Sequence, residues 1–180
     1  YTAPKTFLTE KDARGWLSLR QAEIIRKAWT PPESDEAPRP SAGRPAERPD
    51  GCAPLWACVD FAPDLAADRR AGLEAALEAA GLLDALVTPT GTFIGPPTLD
   101  TWLTPGGEPT SWLVPVPDGP LDRTAVMAAL SALGGVSPDG SWEGRGLAGR
   151  WSKPEAEYIG AAARAEARLR RIAALIESII

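Results

Sequence analysis

The 180-residue sequence predicts an α+β fold: a small mixed α/β head with two long terminal helices that pair as an antiparallel coiled-coil stalk. Apolar residues recur at helical spacing at both ends of the chain, each in a stripe too narrow to serve a globular core alone. Between them, short apolar runs alternate with short helical patterns, as expected of a compact α+β head. A Pro-rich stretch sets the first helix apart from this middle.

The first helix falls within residues 1–29. In "LTEKDARGWLSLRQAEIIRKAWT", Thr9 is the N-cap and Asp12, three residues on, forms a capping pair with Asp in the usual Glu or Gln position. Leu17, Ile24 and Ala28 make one stripe, and Pro31 and Pro32 end the helix. Residues 30–54 hold seven of the nineteen prolines among charged and small residues, which predicts a flexible insert.

The head is expected over residues 55–153. "LWACVDF", Leu55 to Phe61, is apolar and bounded by prolines, as in a buried strand. A helix follows in which Leu73, Leu77 and Ala80 share a face and Gly81 is the C-cap; Leu83 to Val87 then returns as a second strand, giving a β–α–β-like unit. Residues 89–110 form a long loop with one short strand around Leu99 to Leu103. "SWLVPV" is an edge strand because Pro115 lacks a donor, with Trp112 and Val114 on one face and Leu113 on the other. "DRTAVMAALSALGG" is a helix capped by Asp122 and stopped by Gly134 and Gly135, and "SWEGRGLAGRW" is a small hairpin.

The last helix is expected over residues 154–180. Ser152 supplies a cap, Pro154 suits the first turn, and Glu155 and Glu157 oppose the helix dipole. Ala165, Leu169, Ile172, Ile176 and Ile179 recur at spacings of four and three, a coiled-coil seam, with no capping residue after Ile180.

Composition narrows the function. The chain has no His, which removes the commonest metal ligand and the commonest general base at neutral pH. Cys52 and Cys58, six residues apart, match neither a redox pair nor a zinc knuckle and are expected to be inert thiols. No run of eighteen apolar residues and no leader pattern occurs, so a cytoplasmic protein without membrane contact is expected. The formal charge of −5 is uneven: residues 30–154 carry 17 acidic and 9 basic side chains, whereas residues 1–29 carry 3 and 6. An acidic middle repels phosphate, so any DNA contact belongs near the helices.

Three candidate motifs fail on detail. "GRGLAG", residues 144–149, lacks the Lys-Ser/Thr ending of a phosphate loop and runs into a strand, so hairpin glycines are the better account. Asp60, Asp64 and Asp68 do not share a helical face, and the seven tryptophans are scattered without interleaved basic residues. No catalytic, cofactor-binding or metal residue is assigned. Arg145, Arg150, Lys153, Arg164 and Arg168 cluster where hairpin meets helix, as a solvated face or a weak DNA contact.

The blocks "FAPDLAADRRAGLEAALEAAGLLDA" and "SKPEAEYIGAAAR", in the order helix, Pro-rich insert, two small α+β segments and helix, resemble the hinge region of the SMC-like ATPase subunit JetC of Wadjet plasmid-defence systems. The resemblance spans nearly the whole chain outside the insert. It implies a non-catalytic module that joins two SMC-like arms as a homodimer, within an ATPase that extrudes DNA loops and acts with further subunits against plasmids. The edge strand at Trp112, Leu113 and Val114 is then the candidate dimer interface. A rival from another class is a stand-alone ligand-binding or enzymatic domain using a cleft between the two α+β segments.

Overall fold

The computed structural model describes residues 37–38, 48–90, 100–144 and 146–177. The chain divides into two compact units, one of residues 37–167 and one of residues 1–36 with 168–180. The expected N-terminal helix, with Leu17, Ile24 and Ala28, lies outside the described residues, as do Arg145 and Ile179.

The larger unit is mixed α/β, with three small two-stranded antiparallel sheets among the described residues. Strand β1 (Ala53–Pro54) pairs with β3 (Leu86–Val87), and β2 (Val59–Phe61) pairs with β4 (Leu113–Pro115). The expected strand Leu55–Phe61 is therefore only half strand. Its first part is a single helical turn, α1 (Leu55–Cys58), whose Leu55 and Trp56 amides donate to the Ala85 and Leu83 carbonyls at 2.9 and 3.1 Å. That turn hands the chain from one sheet to the other, so β2 and β3 never pair and the expected β–α–β unit is not formed. Near Leu103 the expected strand is reduced to one parallel bridge, Leu86 to Trp102.

Helix α2 (Ala67–Ala79) ends as its sequence predicts: Gly81 has φ +70°, and the Leu82 amide reaches back to the Leu77 carbonyl at 2.8 Å. Leu73 and Leu77 are fully buried, with Leu55, Val59, Leu83, Val87 and Leu130 around them. Helix α3 (Arg123–Leu130) is capped by Asp122, which accepts from the Thr124 amide at 2.7 Å, and it closes through a 3₁₀ turn at Ser131–Leu133. The hairpin of β5 (Ser141–Gly144) and β6 (Leu147–Arg150) forms over "GRGLAG", with Gly146 at φ +78° in its turn. Trp142 lies across from Gly149 with its indole where a Cβ would be, 2.8 Å from Nε1, so the large ring substitutes for the missing side chain.

Two boundaries differ from expectation. Residues 48–54, placed in the insert, belong to the head: Ala53–Pro54 is a strand, and Arg48, with 14% of its side chain exposed, lies between Asp84 and Asp100. The last helix, α4 (Ala161–Glu177), begins seven residues later than expected. Ser152, Pro154, Glu155 and Glu157 are not its cap and first turn; residues 151–160 form an irregular strap, and Gly160 at φ +83° stands before the first helical residue. The backbone amides that would close the first turn of a helix from Pro154 are used elsewhere, as described below. Along α4, Ala165 and Leu169 are exposed, Ile172 and Ile176 are half-buried, and Ala167 is buried.

Candidate functional site

The strap is fixed by one carboxylate. Glu74 sits on α2 between Leu73 and Leu77 and is completely buried. Its Oε1 accepts from the Glu157 amide at 2.7 Å, and its Oε2 accepts from the Tyr158 and Ile159 amides, both at 2.9 Å. Three consecutive backbone donors turned on one carboxylate form an anion-binding nest, and those of Tyr158 and Ile159 are then not free for the i→i−4 bonds that a helix beginning at Pro154 would need. Ile159, the last of them, is fully buried in the core. Burying such a side chain contributes about 1.5–3 kcal/mol.

The buried charge is compensated by Lys153. Its ammonium lies 2.9 Å from Glu74 Oε1, 2.9 Å from Glu78 Oε2 and 3.7 Å from Glu157 Oε2, and 4.5 Å from the centroid of the Tyr158 ring. Burial alone would lower the Lys153 pKa. The Glu74 charge and the hydrogen bonds to Glu74 and Glu78 outweigh that and hold it above the ordinary lysine value.

Beyond the strap, α4 is seated by two further contacts. The Asp60 carboxylate on β2 packs directly against the α carbon of Gly160, at the positive end of the helix. Arg164, one turn into α4, donates to the Tyr158 carbonyl at 3.0 Å and lies 5.7 Å over the Trp56 ring. These contacts fix the first turns of α4 to the head. A second anchor ties residue 48 to the sheet: Arg48 donates to the Asp84 carbonyl at 2.8 Å and pairs with the Asp84 and Asp100 carboxylates at 3.1 and 2.9 Å. The shorter of the two carboxylate contacts, Nε to Asp100 Oδ2, is a charge contact without hydrogen-bond alignment.

The described members of the expected basic cluster have different surroundings. Lys153 is turned into the body with 12% of its side chain exposed, where three carboxylates occupy it. Arg150 projects from the hairpin, 70% exposed, and pairs with Asp139 at 3.5 Å. Arg164 is stacked on Trp56, and Arg168 lies in the other unit. Of the expected interface residues, Leu113 is buried in the core, while Trp112 and Val114 are half-buried on the other face of β4. Asp60 lies on β2 and Asp68 in the first turn of α2; among the described residues no three His, Cys, Asp or Glu side chains form a metal-binding group. Nor is any described helix long and apolar enough to cross a membrane.

Sequence reasoning missed the Glu74 anchor, although a charged residue between Leu73 and Leu77 on an apolar face was the available signal. No family model, no curated protein and no solved structure matches the chain.

Proposed function

We propose that the chain is a non-catalytic hinge and dimerisation module of an SMC-like, DNA-loop-extruding ATPase of the Wadjet plasmid-defence type. One observation carries the reading. The two stretches on which the resemblance rests are the two sides of one contact: Glu74 and Glu78 come from the first block, and Lys153 with the amides of residues 157–159 from the second. A hinge passes the direction of its arm to its head, which a helix on a loose tether cannot do. Here the chain enters α4 through a strap bound by a buried carboxylate, with Asp60 and Arg164 holding the first turns.

On this reading residues 9–29 return along α4 as the second strand of an antiparallel coiled coil, with Leu17, Ile24 and Ala28 facing Ala165, Leu169, Ile172, Ile176 and Ile179. The partners are a second copy, the other subunits of a cytoplasmic defence complex, and DNA. DNA contact is weak and salt-sensitive, through Arg145, Arg150, Arg164 and Arg168 against an acidic head. The test is the complete reading frame. Nucleotide-binding motifs on both sides of the chain, and ATP turnover by the full-length protein but not by this chain, support the reading. Turnover by this chain alone, or a reading frame lacking those motifs, overturns it.

A further inference from the structure

We infer that β6 is the self-association edge of the head, pairing antiparallel with β6 of a second copy about a two-fold axis at Gly149. The inference rests on the hinge reading for the existence of a dimer; the choice of edge rests on backbone geometry.

Strand β5 is covered on both sides. Its β6 side includes the Trp151 amide bonded to the Gly140 carbonyl at 3.0 Å; on its other side the Ser137 amide donates to the Ser141 carbonyl at 2.9 Å and the Glu143 amide to the Gly135 carbonyl at 2.8 Å. In the register Trp142 to Gly149, residues 147, 149 and 151 turn their backbone groups toward β5. Ala148 and Arg150 therefore turn their N–H and C=O groups outward, and among the described residues no strand covers them. The same reasoning removes β4. With Val116 N bonded to the Cys58 carbonyl and Ala62 N to the Trp112 carbonyl, its outward positions are Leu113 and Pro115, which together offer one N–H.

The β6 edge is complementary to itself. Placing Ala148 opposite Arg150 of a second copy lets both exchange N–H···O bonds, four in all for the symmetric pair. On one face that register sets Leu147 against the second copy's Trp151, and the reverse. These are two of the four large apolar side chains exposed in the described chain, at 67% and 58%. At the axis, Gly149 meets Gly149, each with the Trp142 indole of its own copy lying over it. On the other face, Arg150 of one copy lies across the small Ala148 of the other from that copy's Glu143, opposite charges two strands apart. Arg150 is drawn along its own hairpin toward Asp139 and leaves its backbone edge open. A five-residue edge, Leu147 to Trp151, with one Leu and one Trp a side is a small interface, so the association is concentration-dependent.

Two variants test it. Ala148→Pro deletes an outward N–H that β5 does not use, so the hairpin keeps its ladder. Sedimentation of the wild-type chain over a micromolar series is expected to rise from 19.0 kDa toward twice that mass, with Ala148→Pro remaining monomeric and Val114→Asp associating like wild type. The second variant carries Leu147→Cys and Trp151→Cys with Cys52→Ser and Cys58→Ala. Four residues apart on one extended strand, the new thiols cannot join within a chain, and an interchain 147–151 disulfide is expected on mild oxidation. If Ala148→Pro disturbs folding, this crosslink alone decides. A dimer that survives Ala148→Pro and gives no 147–151 link overturns the edge and leaves the hinge reading standing. A chain that stays monomeric throughout also overturns the edge, whereas ATPase motifs outside the chain bear on the hinge reading alone.

Discussion

Glu74 and Lys153 meet at 2.9 Å across 79 residues of sequence, one fully buried and the other 12% exposed. This pair, with three backbone amides on the same carboxylate, makes residues 151–160 part of the head and not the start of a helix.

Removing the carboxylate leaves an ammonium and three amides without it. Glu74→Ala is expected to cost about 3–5 kcal/mol in chemical denaturation, the range for breaking a buried ion pair from one side. Glu74→Gln retains acceptor capacity and should cost less. Lys153→Met keeps all three amide bonds but leaves the buried Glu74 carboxylate without its ammonium, so it too is expected to cost several kcal/mol. A loss below about 1 kcal/mol for Glu74→Ala would contradict the anchor.

Alkaline pH provides a second probe of the same pair. The Lys153 pKa is raised in the folded chain, so the protonated form favours folding. Its contribution is complete below the unfolded value of about 10.4 and fades as pH climbs through the higher folded value. Urea midpoints measured from pH 8 to about 11.5 should therefore fall more steeply for wild type than for Lys153→Met. Parallel curves would show that Lys153 does not titrate with folding.

How much of this was legible in the sequence depended on range. The Gly81 stop, the Asp122 cap and the hairpin over residues 141–150 are local signals, and each formed where expected. Pairing partners are not local, and the strand expected over Leu55–Phe61 was split because α1 feeds two sheets. Ser152, Pro154, Glu155 and Glu157 have the composition of a helix start, yet Glu74 takes the Tyr158 and Ile159 amides, whose bonds back to residues 154 and 155 would close its first turn. Lys153 resembled a surface cation because nothing nearby in sequence accounts for its burial; Glu74 and Glu78 lie more than seventy residues upstream.

Gly160 is the point where the strap becomes α4. It has φ +83°, and a Cβ there would run into the Asp60 carboxylate. Gly160→Ala is expected to cost roughly 1–3 kcal/mol, combining the left-handed backbone with the collision. Adding Asp60→Ala should recover part of that loss, the share due to the collision. Strict additivity of the two substitutions would contradict the contact.

The two thiols should differ in reactivity. Cys58 is 1% exposed and burial pushes its thiol up to about 12, whereas Cys52 is half-buried, raised by burial with Arg48 opposing. Alkylation of the native chain at pH 8, followed by mass mapping, is expected to label Cys52 well before Cys58. Cys58 should react only as the chain unfolds. Equal labelling rates in the native chain would contradict the burial of Cys58.

The most direct test of the central claim, that a head carries an antiparallel helical arm, is crosslinking of paired cysteines in a Cys52→Ser, Cys58→Ala background. Ile24→Cys with Ala165→Cys, and Leu17→Cys with Ile172→Cys, share one antiparallel register, and each pair is expected to close a disulfide within the monomer. A same-direction control, Leu17→Cys with Ala165→Cys, should not. If neither of the first two pairs closes, or if the control closes equally well, the two helices do not form the arm of a hinge.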